Sequence, residues 1–87
     1  MAIAAAGFDW DAGNRDKCQQ HGLSIVEVES MFLQPVSIFP DPAHSETEER
    51  FKAFGRSTGG RHILLVFTLR KRGGESQVRP ISARYMH

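Results

Sequence analysis

The sequence predicts an α+β domain in which two helices cover one face of a twisted β-sheet. Three observations support this prediction: two helix-start signals before residue 35, alternating apolar segments from residue 50 onward, and paired glycines between those segments. The 87 residues suffice for one small core, so we expect a single domain over residues 1–87. The predicted element order is β-α-α-β followed by a three-stranded antiparallel meander.

A short strand and a first helix are predicted at the start of the chain. Residues 7–11 alternate apolar and polar side chains, a pattern typical of a strand with one buried face. Asp11 is a favourable N-cap residue and Gly22 is typical of a helix end. We therefore expect the first helix to run from Asp11 to about Gln20.

The second helix has the stronger signal. Ser24 and Glu27 have the spacing of a capping box, in which each side chain accepts a hydrogen bond from the backbone N–H of the other residue. Apolar residues then recur at helical spacing, and Glu27 and Ser30 are expected to face outward. Pro35 should end the helix, and residues 36–40 are predicted to form a short strand.

The second half of the chain is predicted to form the meander. Its strands are RFKAFGRS, RHILLVFTLR and SQVRPISAR, and the turns between them are Gly59-Gly60 and Gly73-Gly74. In the middle strand, Ile63 and every second residue after it should face the helices. The opposite face is half polar and needs another cover or a ligand. Pro80 indicates that the last strand lies at an edge or that its ladder is interrupted there.

Charge is divided unevenly along the chain. Residues 1–49 contain two basic and nine acidic residues, a net charge of −7, and residues 50–87 contain nine basic residues and one acidic residue, a net charge of +8. The sum is the overall +1. A cationic face of this kind would bind polyanions. Alternatively, the acidic helices neutralise the basic strands within the fold.

Several classes of function lack support in the sequence. No apolar run approaches the length of a membrane span, and the start lacks the basic residues of a signal peptide. A single cysteine, Cys18, suits a reducing cytoplasm and is interpreted as a small apolar helix residue. The four histidines are spread over different elements, so we expect no metal site. No phosphate-binding glycine loop is present, and no cofactor is predicted.

Arginines on a rigid sheet suggest phosphate chemistry. Cleavage of RNA can use the substrate's own 2′-hydroxyl as nucleophile, so the protein has to supply positioned cations, a proton acceptor and a proton donor. Arg56, Arg79 and Arg84 are candidates for the cations. Arg79 and Arg84 are five residues apart and should point to opposite faces unless Pro80 disturbs the pleat. The proton acceptor and donor stay undecided, with Lys17 and His21 among the candidates.

Four segments resemble the BrnT family, the toxins of bacterial toxin–antitoxin pairs. They are DWDAGNRDKCQQHGLSIVEVESMF, FPDPAHSETEERFKAFGR, RHILLVFTLR and RPISARYMH. The resemblance runs from about Phe8 to the last residue. Its most specific parts are W-D followed by H-G, the central G-R and the closing I-S-A-R, and these together are more specific than any one of them.

The resemblance implies a fold similar to that of RelE-type ribonucleases and a metal-independent RNA cleavage that arrests translation in the cytoplasm. It also implies a BrnA-like ribbon-helix-helix antitoxin as partner, in a complex with two copies of each chain. This complex would bind operator DNA through the antitoxin.

The resemblance also implies roles for individual residues. Arg56 and Arg84 would contact phosphate and stabilise the transition state, and Lys17 and His21 would be catalytic or would hold the junction between helix and sheet. Further contacts with RNA are expected from three residues: Arg61, Arg79 and Ser82.

Similar sequences continue past the equivalent of His87 into a charged helix. The expectation is that this helix is absent here, which leaves one sheet face uncovered and favours pairing with another chain. A second hypothesis follows from the undecided proton acceptor and the absent helix. In it, the chain is a non-catalytic binding module with a toxin-like fold.

Overall fold

The computed structural model describes residues 5–44 and 47–86, and it has an α+β fold built on a four-stranded antiparallel sheet. The helices are α1 (Ala12–Gln19) and α2 (Ile25–Ser30), and two short 3₁₀ turns cover Met31–Leu33 and Pro42–His44. The strands are β1 (Ser37–Pro40), β2 (Arg50–Arg56), β3 (His62–Arg72) and β4 (Glu75–Tyr85), and they are neighbours in that order. The predicted α+β class is therefore confirmed. A helix after residue 87 lies outside the described residues.

The sheet differs from the prediction in two places. The predicted meander of three strands is extended to four, because β1 pairs antiparallel with β2 and places Ile38 opposite Ala53. The predicted first strand is reduced to a single parallel bridge between Phe8 and Val78. Only a few backbone hydrogen bonds form there before Asp11 caps α1, so the segment is too short to become a strand.

Both helices begin at the predicted caps. Asp11 and Asn14 form a capping box at the start of α1, and Ser24 and Glu27 form one at the start of α2. The expectation that Ser30 faces outward is wrong, because its side chain is buried. Its hydroxyl donates to the Glu27 carbonyl oxygen at 2.8 Å and accepts from the Thr58 N–H at 3.2 Å, so Ser30 joins α2 to the turn after β2.

The core lies between the helices and one face of the sheet, which we call the core face. Ile63, Leu65 and Phe67 of β3 are fully buried on this face, and Leu23 and Met31 from the helical half pack in the same cluster. As predicted, every second residue of β3 faces the core. The opposite face of the sheet, the open face, carries the alternate residues of each strand.

β4 contains a bulge beside Pro80. The register with β3 shifts between Val66 and Phe67, so that Val66 lies opposite Ser82 and Phe67 opposite Pro80. Because proline has no backbone N–H to donate, it interrupts the ladder at this point. β4 is also the outermost named strand on its side of the sheet. Both alternatives predicted from Pro80 are thus found.

Candidate functional site

β2 presents a row of basic residues on the open face. Arg50, Lys52 and Arg56 alternate with residues such as Phe51 and Ala53, whose side chains are buried in the core. Successive side chains of a strand point to opposite faces, so the three basic residues project from the open face. The sheet holds them on one surface at fixed spacing.

The bulge in β4 brings two further arginines to the open face. Arg79 lies opposite Thr68, and Arg84 lies opposite Leu64. The two arginines are five residues apart on β4, but their partners on β3 are only four residues apart. In a regular strand Arg79 and Arg84 would point to opposite faces, and the extra residue of the bulge removes that mismatch. The disturbed pleat considered from the sequence is present.

A hollow of about 370 Å³ lies where the open face meets α1, and we call it the central hollow. Four basic side chains and one acidic side chain, Asp41, line it, which gives a net positive charge before His21 is counted. The lining residues are Lys17, His21, Asp41, Arg50, Lys52, Leu64, Val66, Ile81, Ser82, Ala83 and Arg84. The central hollow is therefore a cationic concavity with an apolar floor.

α1 and the turn after it bring Lys17 and His21 to the central hollow. The first turn of α1 is fixed by Asp11 and Asn14, whose side chains each accept a backbone N–H at 2.8–2.9 Å. Cys18 is fully buried in the core and fixes the rotation of the helix. Burial also raises the pKa of Cys18 to about 11, so its thiol stays protonated at neutral pH. This agrees with the interpretation of Cys18 as a small apolar helix residue.

Arg79 is held by carboxylates of the N-terminal segment. Its guanidinium bonds Asp11 and lies 3.4 Å from Asp9, and Arg72 reaches the same Asp9 oxygen at 3.2 Å. The hydrogen bond from Arg79, the largest cause, holds the pKa of Asp11 below its ordinary value. Arg79 also lines a second hollow of about 390 Å³, the Arg79 hollow, together with Arg50.

Arg61 lies in a third hollow at the end of β4. This Tyr85 hollow measures about 480 Å³ and is lined by His21, Arg61, Arg84 and Tyr85. The guanidinium carbon of Arg61 lies 3.4 Å from the centroid of the Tyr85 ring. The Tyr85 hydroxyl donates to the Glu27 carboxylate at 2.7–2.8 Å, and this contact raises the pKa of Tyr85 and lowers that of Glu27.

The structure brings some predicted site residues together and separates others. Four of them line the central hollow: Lys17, His21, Ser82 and Arg84. Arg61 lies in the adjoining Tyr85 hollow, and Arg79 lies in the Arg79 hollow. Arg56 is exposed on the same open face, two strands away from Arg84, a Cα separation of roughly 12 Å from the ordinary strand spacing.

Sequence reasoning did not single out Arg50, Lys52 and Asp41. A signal for the two basic residues was present, because bases at every second position of β2 predict a cationic strand face. Asp41 follows β1 and is mostly buried, and its backbone N–H donates to the Arg50 carbonyl oxygen at 2.8 Å. Its place beside the hollow depends on the pairing of β1 with β2, which no local pattern encodes.

Comparison with protein families identifies the family of the chain. A model of the ribonuclease toxin BrnT of type II toxin–antitoxin systems matches residues 10–87. The chain belongs to the BrnT family. No curated protein matched the chain in a separate comparison. The family is that of type II ribonuclease toxins, so this BrnT chain has an antitoxin as partner and RNA as substrate class.

The described part of the BrnT chain was also searched for metal ligands and membrane helices. Within residues 5–44 and 47–86, no three His, Cys, Asp or Glu side chains come together as potential metal ligands. None of the helices in those same ranges has the length and hydropathy needed to cross a membrane.

Proposed function

We propose that this chain cleaves RNA without a metal ion, in a RelE-like fold, and thereby inhibits translation in the cytoplasm. The observation that carries the proposal is the central hollow, where Lys17, His21, Arg50, Lys52 and Arg84 surround a space of about 370 Å³. Its positive charge sits on a rigid sheet and on one short helix, which suits the binding of a phosphodiester.

In the proposed reaction the 2′-oxygen of the substrate attacks the adjacent phosphorus. A 2′,3′-cyclic phosphate forms, the bond from phosphorus to the 5′-oxygen breaks, and the 5′-oxygen takes up a proton. Arg84 stabilises the charge that gathers on the phosphate oxygens, because its guanidinium can donate two parallel hydrogen bonds. Arg50 and Lys52 share this task from β2, which is separated from β4 by β3 in the sheet.

His21 is the proposed proton acceptor for the 2′-hydroxyl, and Lys17 is the proposed proton donor to the 5′-oxygen. An imidazole ring can accept a proton at one nitrogen and is the side chain that most often acts as a general base. Lys17 lines the central hollow from α1, His21 lines it from the turn after α1, and Ser82 lines it from β4. Arg56 is assigned to a phosphate outside the hollow, on the same open face.

A direct test measures RNA cleavage by the purified protein with and without EDTA. We expect cleavage to persist in EDTA and to fall about a hundredfold in Arg84→Ala, the size typical of a lost transition-state contact. Arg72→Ala is the matched control, since it removes an arginine at the far end of β3. Loss of cleavage in EDTA, or equal losses in the two variants, would contradict the proposal.

A non-catalytic binding module is the second candidate. Two observations favour it: Arg79 is engaged by Asp9 and Asp11, and Arg56 lies outside the lining of the central hollow. In this case the protein binds RNA or the antitoxin and leaves RNA intact. Binding without any cleavage in the same assay would select this candidate.

The proposed partner is a BrnA-like ribbon-helix-helix antitoxin in a complex with two copies of each chain, which binds operator DNA through the antitoxin. Family membership supports the choice of partner. Co-expression with a BrnA-like antitoxin, followed by light scattering of the purified complex, should give the mass of a 2:2 assembly. A 1:1 mass would contradict the stoichiometry.

A further inference from the structure

We propose that the Tyr85 hollow is a subsite for one nucleobase of a single-stranded RNA, with the guanidinium of Arg61 as its stacking surface. The inference rests on the proposed function, because it assumes that a phosphate of the same strand binds in the central hollow. It assigns Arg61 to a base and not to a phosphate, and it gives Tyr85 the role of holding Arg61 in place.

The guanidinium of Arg61 lies over the face of the Tyr85 ring. The guanidinium carbon lies 3.4 Å from the ring centroid, the distance of a face-to-face contact. Arg61 is exposed and lines the Tyr85 hollow, so a ligand in the hollow can reach its guanidinium. Nucleobases in single strands commonly stack on arginine planes and aromatic rings.

The hydroxyl end of Tyr85 is also fixed. Its hydroxyl donates to the Glu27 carboxylate, which belongs to α2 and is itself held in a capping box with Ser24. The tyrosine ring therefore has a defined orientation before any ligand arrives. A preorganised surface loses less conformational entropy on binding than a mobile one.

The turn that carries Arg61 is also fixed. Ser57 is almost completely buried, its hydroxyl accepts the Arg61 N–H at 3.3 Å, and its own N–H donates to the Arg61 carbonyl oxygen at 2.9 Å. The Gln34 side chain donates to the Ser57 carbonyl oxygen at 3.1 Å. Two hydrogen bonds between Ser57 and Arg61, and one from Gln34 to Ser57, thus hold the turn that carries the stacking residue.

The Tyr85 hollow adjoins the central hollow. His21 and Arg84 line both hollows. A phosphate bound by Arg84 would therefore place a base of an adjacent nucleotide beside Arg61. The Tyr85 hollow measures about 480 Å³, which is large enough for a purine or a pyrimidine. We therefore expect the subsite to bind any base more tightly than an abasic sugar and to discriminate only weakly between the bases.

The test uses short 2′-O-methyl RNA, which lacks the attacking hydroxyl, with 2-aminopurine placed at each position in turn. Stacking quenches the fluorescence of 2-aminopurine, and we expect quenching at one position of the bound strand. An abasic sugar at that position should weaken binding about tenfold, within the range measured for single base stacks.

Two variants separate stacking from charge. Arg61→Lys keeps the positive charge and removes the plane, and we expect about tenfold weaker binding and loss of the quenching. Tyr85→Leu should give the same loss. Lys71→Ala, at the far end of β3, is the matched control and should bind as the native chain does.

The outcomes separate this inference from the proposed function. The base subsite is overturned if the native chain quenches 2-aminopurine at no position and Arg61→Lys binds the strands as tightly as the native chain does. This holds even if ordinary RNA is cleaved. A quenched position that depends on Arg61, in a protein that leaves ordinary RNA intact, supports the subsite and overturns the cleavage. A protein that binds none of the strands overturns both.

Discussion

Asp11 has two partners for one carboxylate. It accepts the Asn14 N–H at 2.9 Å and so caps α1, and it also binds the guanidinium of Arg79 on β4. The first interaction was predicted from the sequence, because caps act over three residues. The second joins residues 68 positions apart and follows only from the fold.

Asp11→Asn should lower the free energy of unfolding at neutral pH. Asparagine is also a good N-cap, so the variant keeps the cap and loses the ion pair. The pKa of Asp11 is lowered in the folded state, so its contribution is present above the ordinary value of 3.8 and is lost as the pH falls through the folded value. Urea unfolding of both proteins across this range measures the difference.

The difference in unfolding free energy between the native chain and Asp11→Asn should therefore close in acid. Asp16→Asn, an exposed carboxylate of the same helix, serves as the control and should show little difference at either pH. A gap for Asp11→Asn that persists at low pH would assign the effect to the cap and not to Arg79.

At the scale of elements, the turn between β2 and β3 connects the sheet with α2. Within the turn, the Ser57 hydroxyl accepts the N–H of Arg61. The Ser30 hydroxyl of α2 accepts the N–H of Thr58. The glycine pair at this turn was predicted from the sequence. The buried serines were not, since nothing in a local pattern marks a serine as buried.

Ser57→Ala should destabilise the fold by about 1 kcal/mol, because it removes the acceptor of the Arg61 N–H at a buried position. Chemical unfolding measures the loss. Thr58→Ala is the matched control: only the backbone N–H of Thr58 bonds Ser30, so that bond survives the substitution. Equal destabilisation by the two variants would show that the Ser57 hydroxyl is not what holds the turn.

At the scale of the whole molecule, both interpretations of the uneven charge apply in different places. Arg72 and Arg79 are neutralised by acidic residues of the first half, as the alternative interpretation expected. Lys17, Lys52 and Arg84 line the central hollow beside Arg50. The positive charge is therefore neutralised at one end of the sheet and concentrated in the hollow.

RNA binding should weaken with salt to a degree set by the central hollow. If its four basic residues together neutralise four charges of the bound strand, at the scissile phosphate and its neighbours, the logarithm of the binding constant should fall with the logarithm of salt concentration with a slope of about −3. Lys52→Ala should make this slope less steep by about 0.7. Binding titrations at several salt concentrations measure it.

Lys71→Ala removes the same charge outside the hollow and is the control for the slope. Its slope should match that of the native chain. A slope that changes equally in Lys52→Ala and Lys71→Ala would indicate that RNA contacts the surface as a whole and not the central hollow.

The sequence by itself determined the α+β class, both helix caps, the glycine turns, the alternation of β3 and the basic character of the second half. These features depend on residues a few positions apart, where backbone geometry and hydrogen bonding are local. It also carried the motifs of the BrnT family.

Only the tertiary structure decided which charges meet. The bulge beside Pro80 places Arg79 and Arg84 on one face, and the packing of Cys18 turns Lys17 toward the sheet. The reduction of the predicted first strand to one bridge was decided in the same way. Each outcome depends on pairing or packing between distant segments, and the free energy of such contacts is not encoded by any local pattern.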